Sequence, residues 1–386
     1  MLPNIKYRLT NWVDGMKIHR QHFTNSENAQ IDAIRDIAAV NLTNYNFGLL
    51  YPAEGEKRSL EINILRSQSD NFKISVPLCR AITAGGCRIE ITPMVDEEII
   101  CQDRIDTLAV SRKDKNAVSY YLAVLTVDPF NKIPTGEPSP EESPPRNPFA
   151  RPSYELYLVA EDDIDVNSFG AFHFPIARFK LKARELAPDE NFIPPCAVIQ
   201  AHPGMIQLYN TIGTGLNKLQ ESCTDIVRKV IAKNQTTPLA QNIRRISEVN
   251  VRFISSAFFR LRMMLHQLPP IYLAEAVCQL ANEIKVTLDF MPDKEKEELL
   301  NYFKEWNEVS PATFTQMLGE AIDLHYNHNN IYETFVPVLG LLQKLTELFE
   351  QLSRLDLIGK RRDKEFLVRE RDVDEPKQNK KFNPLN

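Results

Sequence analysis

No stretch of the 386-residue chain approaches the roughly 20 consecutive apolar residues that a helix needs to cross a bilayer. The opening MLPNIKYRLTNW has no apolar core, so neither a signal peptide nor a membrane anchor is expected. Cysteines at CxxC spacing are also lacking. Cys79, Cys87, Cys101, Cys196, Cys223 and Cys278 are scattered, the pattern of reduced thiols in a cytoplasmic protein. Neither sign of charge dominates: 46 basic and 51 acidic residues leave a net charge of −5, which excludes a global basic footprint for nucleic acid. Missing too are the phosphate cradle GxxxxGK[ST], the dinucleotide fingerprint GxGxxG, the nucleophile elbow GxSxG and the zinc motif HExxH. What remains is 43% apolar and 25% charged, which excludes a collagen-like or wholly disordered chain. The length suits two or three domains with a sizeable core.

The two halves of the chain carry different periodicities. Over residues 45–182 apolar side chains alternate with polar ones at Leu60, Ile62 and Ile64, at Phe72, Ile74 and Val76, and at Ile89 and Ile91. Tyr120–Val127 is a β-rich run, and alternation resumes at Tyr154, Leu156 and Leu158 and at Phe172, Phe174 and Ile176. Period-2 patterns with turn signals such as Gly85-Gly86 between them predict short strands of a β-sandwich or barrel. Pro129–Pro152 holds eight of the 25 prolines and, because proline gives no N–H to a ladder, is expected to be a long exposed loop.

After Ile193-Pro194-Pro195 the period lengthens. Tyr209, Ile212, Leu216, Leu219, Cys223, Ile226 and Val230 are spaced alternately by three and four, a heptad seam on one helix. Further helices are predicted over Pro238–Leu268, with Phe253 and Ala257 on its inner stripe, and over Ile271–Phe290, Lys294–Trp306 and Ala312–Leu324. The last long helix carries Phe335, Val338, Leu342, Leu345, Phe349 and Leu352. Long amphipathic helices with short connections read as a bundle, its seams packing within one chain or against further copies. Gly213 and Gly215 inside the first seam permit a close helix approach or a kink. From Asp356 to Asn386, nine Lys/Arg and seven Asp/Glu predict a solvated, charged tail.

The side chains that carry chemistry form no complete set. His19/His22 and His325/His328 each sit at i, i+3, but tetrahedral zinc needs three or four ligands and nothing nearby completes either set. Asp96-Glu97-Glu98 and Glu161-Asp162-Asp163 read as turns or solvated faces. No catalytic residue, cofactor site or metal site is assigned.

Recognition motifs say more. Trp12-Val13-Asp14-Gly15-Met16-Lys17-Ile18-His19-Arg20-Gln21-His22-Phe23 resembles the W-x-x-G-M-x-L-x-P-Q-H-F signature of the TssK family of type VI secretion baseplate proteins, with Ile18 in place of Leu and Arg20 in place of Pro. Asn46-Phe47-Gly48-Leu49 stands where that family has a short aromatic-glycine strand. Phe174-Pro175-Ile176-Ala177-Arg178-Phe179, followed by Asn191-Phe192-Ile193-Pro194-Pro195-Cys196, resembles its junction between sheet domain and helices. Tyr326-Asn327-His328-Asn329-Asn330 resembles the Y-x-H-[ND]-[ND] entry to its last bundle helix. These stretches follow the family's order over residues 1 to about 355.

The resemblance implies an α+β chain (β then α) that is not an enzyme. Residues 1–195 would form a β-sandwich shoulder similar to that of phage receptor-binding proteins, 196–355 a helical bundle neck, and 356–386 the tail. It further implies a homotrimer in the cytoplasm, attached by the shoulder to the TssF/TssG wedge and by a C-terminal head to a membrane-complex component at the inner membrane. Beyond Leu355, where the head would follow, this sequence has the charged tail alone. No nucleic acid and no membrane insertion are implied. Trp12, Gly15, Met16, Ile18, His22 and Phe23 are the candidate interaction residues: large apolar side chains near a terminus either pin it to the β-domain or anchor a partner, and Gly15 permits a turn. Tyr209, Ile212, Leu216, Leu219, Ile226, Val230, Phe335, Leu342, Leu345 and Phe349 are the candidate trimer or bundle seam. A phage-type baseplate or receptor-binding adaptor and a β-sandwich carbohydrate-binding protein are the alternative classes.

Overall fold

The computed structural model describes residues 5–66, 71–93, 99–104, 108, 118–164, 169–182 and 185–361. Asp96-Glu97-Glu98 and residues 362–386 of the tail lie outside the described residues. The chain is α+β, with strands first and helices after. It forms two compact units, one of Met1–Thr214, Ala257–Cys278 and Asp323–Leu339, the other of Gly215–Ser256, Gln279–Ile322 and Gly340–Asn386. The division does not follow the change from strand to helix near residue 195, because four helices each contribute residues to both units.

The first unit opens with helix α1 (Arg20–Ala39), an element the strand and heptad patterns do not announce. Two antiparallel sheets follow. In the first, β3 (Asn71–Ile82) is central and pairs with β1 (Gly48–Leu49), β2 (Leu60–Arg66), β4 (Arg88–Ile91) and β5 (Ile99–Arg104). The second has the order β7-β6-β8-β9, from β6 (Ser119–Thr135), β7 (Phe149–Ala160), β8 (His173–Lys182) and β9 (Glu185–Pro188). Alternation places Phe72, Ile74, Val76, Ile89, Ile91, Leu122, Val124, Phe174, Ile176 and Phe179 in the core. The sheets meet where the Tyr154 hydroxyl of β7 accepts from the Glu90 N–H of β4 at 3.2 Å.

The proline-rich stretch is not one long loop. β6 runs on to Thr135 and β7 starts at Phe149, with Lys132 facing Pro152 and Pro134 facing Ala150, so the connection shrinks to residues 136–148. Pairing with β8 stops at Thr126, and beyond it β6 and β7 form a two-stranded ribbon. Both strands of a ribbon are edges, where a missing proline N–H costs no ladder bond. Pro129 falls in the register shift between Asp128 and Lys132, where Asp128 Oδ1 accepts from the Phe130 N–H at 2.9 Å.

The helices start where local chemistry dictates. α2 (Pro203–Ala232) has proline in its first turn, and His202 Nδ1 accepts from the Gly204 N–H at 3.1 Å. α3 (Pro238–Phe259) passes into a π-helical turn, Arg260–Met264, and a short 3₁₀ turn, Leu265–Gln267. The predicted single helix to Leu268 is therefore widened at its end, and its inner stripe drifts: Asn250 and Ile254 are buried where Phe253 and Ala257 were expected. Tyr209 OH donates to the Leu261 carbonyl at 2.7 Å in that wide turn. α4 (Ile271–Asp289), α5 (Asp293–Asn307), α6 (Pro311–Ile322) and α7 (Ile331–Ser353) complete the set. Ser310 Oγ caps α6 by accepting from the Thr313 N–H at 3.1 Å.

In the second unit, Leu216, Leu219, Cys223, Ile226 and Val230 are buried with Leu342, Leu345 and Phe349. Gly215 permits a close approach there: a Cβ would stand 2.9 Å from Leu342 Cδ2, whereas Gly213 faces open space. Phe303 meets Phe314 and Phe349 edge-on, with centroids at 5.7 and 6.1 Å. The first residues of the expected tail, Asp356–Arg361, are tied to the folded second unit. Ile358 is buried, and its N–H and carbonyl pair with the Gln235 carboxamide at 3.2 and 2.9 Å. Arg361 bonds Glu305 at 2.6 Å and Glu298 at 3.3 Å, and Lys229 donates to the Ser353 and Leu355 carbonyls.

Candidate protein interface

Three of the motif stretches converge in the first unit. Gly48 and Leu49 run beside Pro195-Cys196: the Leu49 N–H donates to the Pro195 carbonyl at 2.8 Å, and the Ala197 N–H to the Leu49 carbonyl at 2.9 Å. His328 is buried against Phe47, with ring centroids at 4.7 Å, and bonds the Phe47 carbonyl through Nε2. The Ile331 N–H donates to the Ile193 carbonyl at 3.3 Å. Nearby, the buried Arg178 of β8 bonds Asp189 at 2.7 Å and Glu333 at 2.6 Å, and its guanidinium lies 4.8 Å from the Tyr120 ring centroid. These contacts are structural.

The surface of α1 is different in kind. At about 100° per residue, Asn28, Asp32 and Arg35 fall within one sector of roughly 60°, and Phe23, Ile34 and Ile37 fall opposite. The polar sector is the buried one. Asp32 Oδ2 accepts from the Lys6 and Tyr7 N–H groups, both at 2.8 Å, and Oδ1 takes Arg35 at 3.2 Å. Arg35 Nε donates to the Gly85 carbonyl at 2.9 Å, with its guanidinium 4.7 Å from the Phe172 ring centroid. The turn after β3 comes so close that a Cβ on Gly86 would meet Ala38 at 3.1 Å. Meanwhile Phe23, Ile34, Ile37 and, at the helix end, Val40 each leave more than half of their surface to water. An amphipathic helix that buries its polar face and exposes its apolar one is a candidate interface surface.

The predicted interaction residues lead into that surface. Trp12 is about half exposed, its ring centroid 5.9 Å from Phe23 and 6.0 Å from His22. Gly15 has φ +77 in the turn that the Met16 N–H closes on the Val13 carbonyl at 3.3 Å. Met16 is half-buried and Ile18 exposed. His22 Nδ1 accepts from the His19 N–H at 3.2 Å, tying the first turn of α1. Sequence reasoning missed Asp32, Arg35, Ile34, Ile37 and Val40. The i, i+3 apolar spacing of Ile34 and Ile37 was the available signal.

The seam residues lie elsewhere. Ile212, Leu216, Leu219, Ile226, Val230, Phe335, Leu342, Leu345 and Phe349 are buried within the single chain, and Tyr209 is half-buried. A further copy would have to meet other residues. His325 and His328 do not act together, since His328 is buried and His325 exposed, and among the described residues no group of three or more His, Cys, Asp or Glu is placed to hold a metal ion. Burial pushes the Cys79, Cys196 and Cys223 thiols up, away from the reactive thiolate. Glu161 is within 3.5 Å of Arg178, and burial raises its carboxyl above the ordinary range. Among the described residues no helix is long and apolar enough to cross a membrane.

No protein-family model matches the chain, and no curated protein is detectably similar to it in sequence. Solved structures are. A crystal structure of TssK aligns with a TM-score of 0.52 and 15% identity over 87% of this chain and 69% of that one. A chain of the baseplate complex from the type VI secretion system aligns at 0.50 and 16% over 88% and 99%. The chain has a TssK-like fold.

Proposed function

We propose that this chain is a structural subunit of a type VI secretion baseplate, working in the cytoplasm at the inner membrane without catalysis. The observation that carries the reading is the shared fold across most of the chain, in which three stretches resembling the TssK family converge on one junction. On this reading the chain is a homotrimeric adaptor between the TssF/TssG wedge and a membrane-complex component. The wedge contact is the Trp12–Phe23 arm together with the exposed face of α1. Such a face suits an apolar partner surface, with Trp12 and Phe23 as its aromatic anchors. The trimer draws on apolar side chains outside the filled seams, among them the exposed Phe259, Met263 and Met264.

Light scattering tests the assembly: three chains of 44.3 kDa give about 133 kDa, and a monomer at all concentrations rejects the trimer. Co-purification with wedge proteins tests the contact. Ile34→Glu with Ile37→Glu should abolish capture and leave the fold and the mass unchanged. Undiminished capture would reject α1 as the contact. Deleting residues 362–386 tests the tail as the route to the membrane complex, since Asp356–Arg361 belongs to the folded second unit.

A further inference from the structure

Beyond Thr126 β6 leaves β8, and the β6–β7 ribbon runs on alone to a tip at residues 136–148. Cross-strand partners share a face, so Lys132 and Pro134 lie on one side of the ribbon and Ile133, Phe149 and Arg151 on the other. The first side is turned to α1, where Lys132 pairs with Glu27. The second is open to water, with Phe149 69% exposed and Ile133 38%. The tip itself is braced from within. Asn147 Nδ2 donates to the Gly136 carbonyl at 2.7 Å, the Ser139 N–H to the Arg146 carbonyl at 3.0 Å, and Arg146 to Glu142 at 3.0 Å. A Cβ on Gly136, φ +92, would meet Phe149 Cδ2 at 3.0 Å and Pro148 Cγ at 3.2 Å, so the glycine lets those two rings pack onto the turn. Pro138, Pro140, Pro144, Pro145 and Pro148 are all exposed.

Pro145-Arg146-Asn147-Pro148 is thus a P-x-x-P stretch on the surface, with an exposed phenylalanine directly after it. Proline fixes φ and the cross-loop bonds hold the rest, so little chain entropy is left to lose on binding. Stretches of this kind are read by grooves lined with aromatic side chains. Pro134 and Pro152 take N–H donors from the ribbon's edges, which opposes extension by an added strand and leaves recognition to side chains. Charge narrows the partner further. Residues 136–148 carry Glu137, Glu141 and Glu142 against Arg146 alone, and Arg146 is taken by Glu142. Glu137 and Glu141 stand exposed beside the prolines. We infer that the ribbon tip is a docking element that seats Pro145, Pro148 and Phe149 in an aromatic-lined groove of a partner chain. Glu137 and Glu141 meet a basic rim on that groove. The inference stands apart from the baseplate reading, since it uses the ribbon face turned away from α1.

Photocrosslinking of the full chain in the cells that express it natively tests the site, with Phe149→p-benzoylphenylalanine as the probe. One dominant adduct is expected, and mass spectrometry should place it among aromatic residues flanked by Lys or Arg on the partner. In that background Pro145→Ala with Pro148→Ala should lower the yield roughly fivefold, as should Glu137→Lys with Glu141→Lys, at unchanged mass and circular dichroism. Ile34→Glu with Ile37→Glu should leave the adduct as it is, which separates this contact from the one on α1. No discrete adduct, an adduct on another copy of this chain, or one on a surface without aromatic residues overturns the partner assignment. A yield insensitive to both tip variants, or lost in the α1 variant, overturns the tip as a site of its own.

Discussion

His328 donates from Nε2 to the carbonyl of Phe47 at 2.7 Å, a bond that spans 281 residues of chain. The carbonyl fixes the tautomer: Nε2 carries the proton and Nδ1 accepts from the Tyr326 hydroxyl at 2.9 Å. A second proton would charge a ring buried away from water, and burial pushes the His328 pKa down to about 4 from 6.5. The unfolded chain takes up this proton as pH falls through about 6.5, the folded chain only near 4. The neutral ring therefore contributes stability that is complete above about pH 6.5 and is lost progressively towards pH 4, roughly 3 kcal/mol in all. His202, also pushed down to about 4 by burial with Arg58 near it, acts in the same direction. Urea unfolding between pH 7 and 4 should show the loss beginning well above the carboxylate range. His328→Gln, which keeps a donor for Phe47, should remove about half of that dependence and leave the part due to His202, and an unchanged slope would remove His328 from the account.

Gly48 holds the other side of the same junction. Its φ is +117, and a Cβ there would stand 2.2 Å from the Pro195 carbonyl oxygen, which itself accepts from Leu49. Neither the backbone conformation nor the contact has room for alanine. Gly48→Ala should cost roughly 3 kcal/mol or more, as strain and a lost strand contact combine. The urea midpoint measures it. A loss below about 1 kcal/mol would mean that β1 can part from Pro195 freely.

Arg35 is what keeps α1 turned polar side in. Replacing it with methionine leaves most of the volume but strips the Gly85 carbonyl and Asp32 of their partner. Asp32 retains two N–H donors, so the cost should be about 3 kcal/mol, at the low end for breaking a buried pair. Hydrogen exchange of the α1 amides should rise to match. Ile34→Ser, on the exposed face, should change stability by less than about 0.5 kcal/mol. Equal effects at the two positions would mean that α1 is held by its apolar face after all.

These contrasts show where the sequence was legible. Strands such as Phe72-Ile74-Val76 were readable because each buries one face, and period 2 records that directly. The heptad positions from Ile212 to Val230 were equally plain, but a seam has the same pattern whether its partner is another helix of the chain or another copy. α1 escaped because its buried residues are Ala29 and three polar ones, Asn28, Asp32 and Arg35, which no hydrophobic pattern marks as interior. The β6–β7 ribbon escaped because its prolines signal loop unless the ladder is known to be an edge. Asp356–Arg361 escaped because it is held by Gln235 and Lys233 side chains on main-chain groups, bonds that leave no periodicity. The interface candidate was half visible: Trp12 and Phe23 by motif, Ile34 and Ile37 only once the inverted helix was seen.

Glu308 closes α5 in a left-handed conformation, φ 60, with its N–H on the Lys304 carbonyl at 3.0 Å. A left-handed backbone at a helix C-terminus suits glycine, and a side chain there costs about 1 kcal/mol. Glu308→Gly should therefore raise the stability of the chain by about 0.5–1 kcal/mol, read as a higher urea midpoint. A loss of stability would show that its carboxylate supports the fold instead.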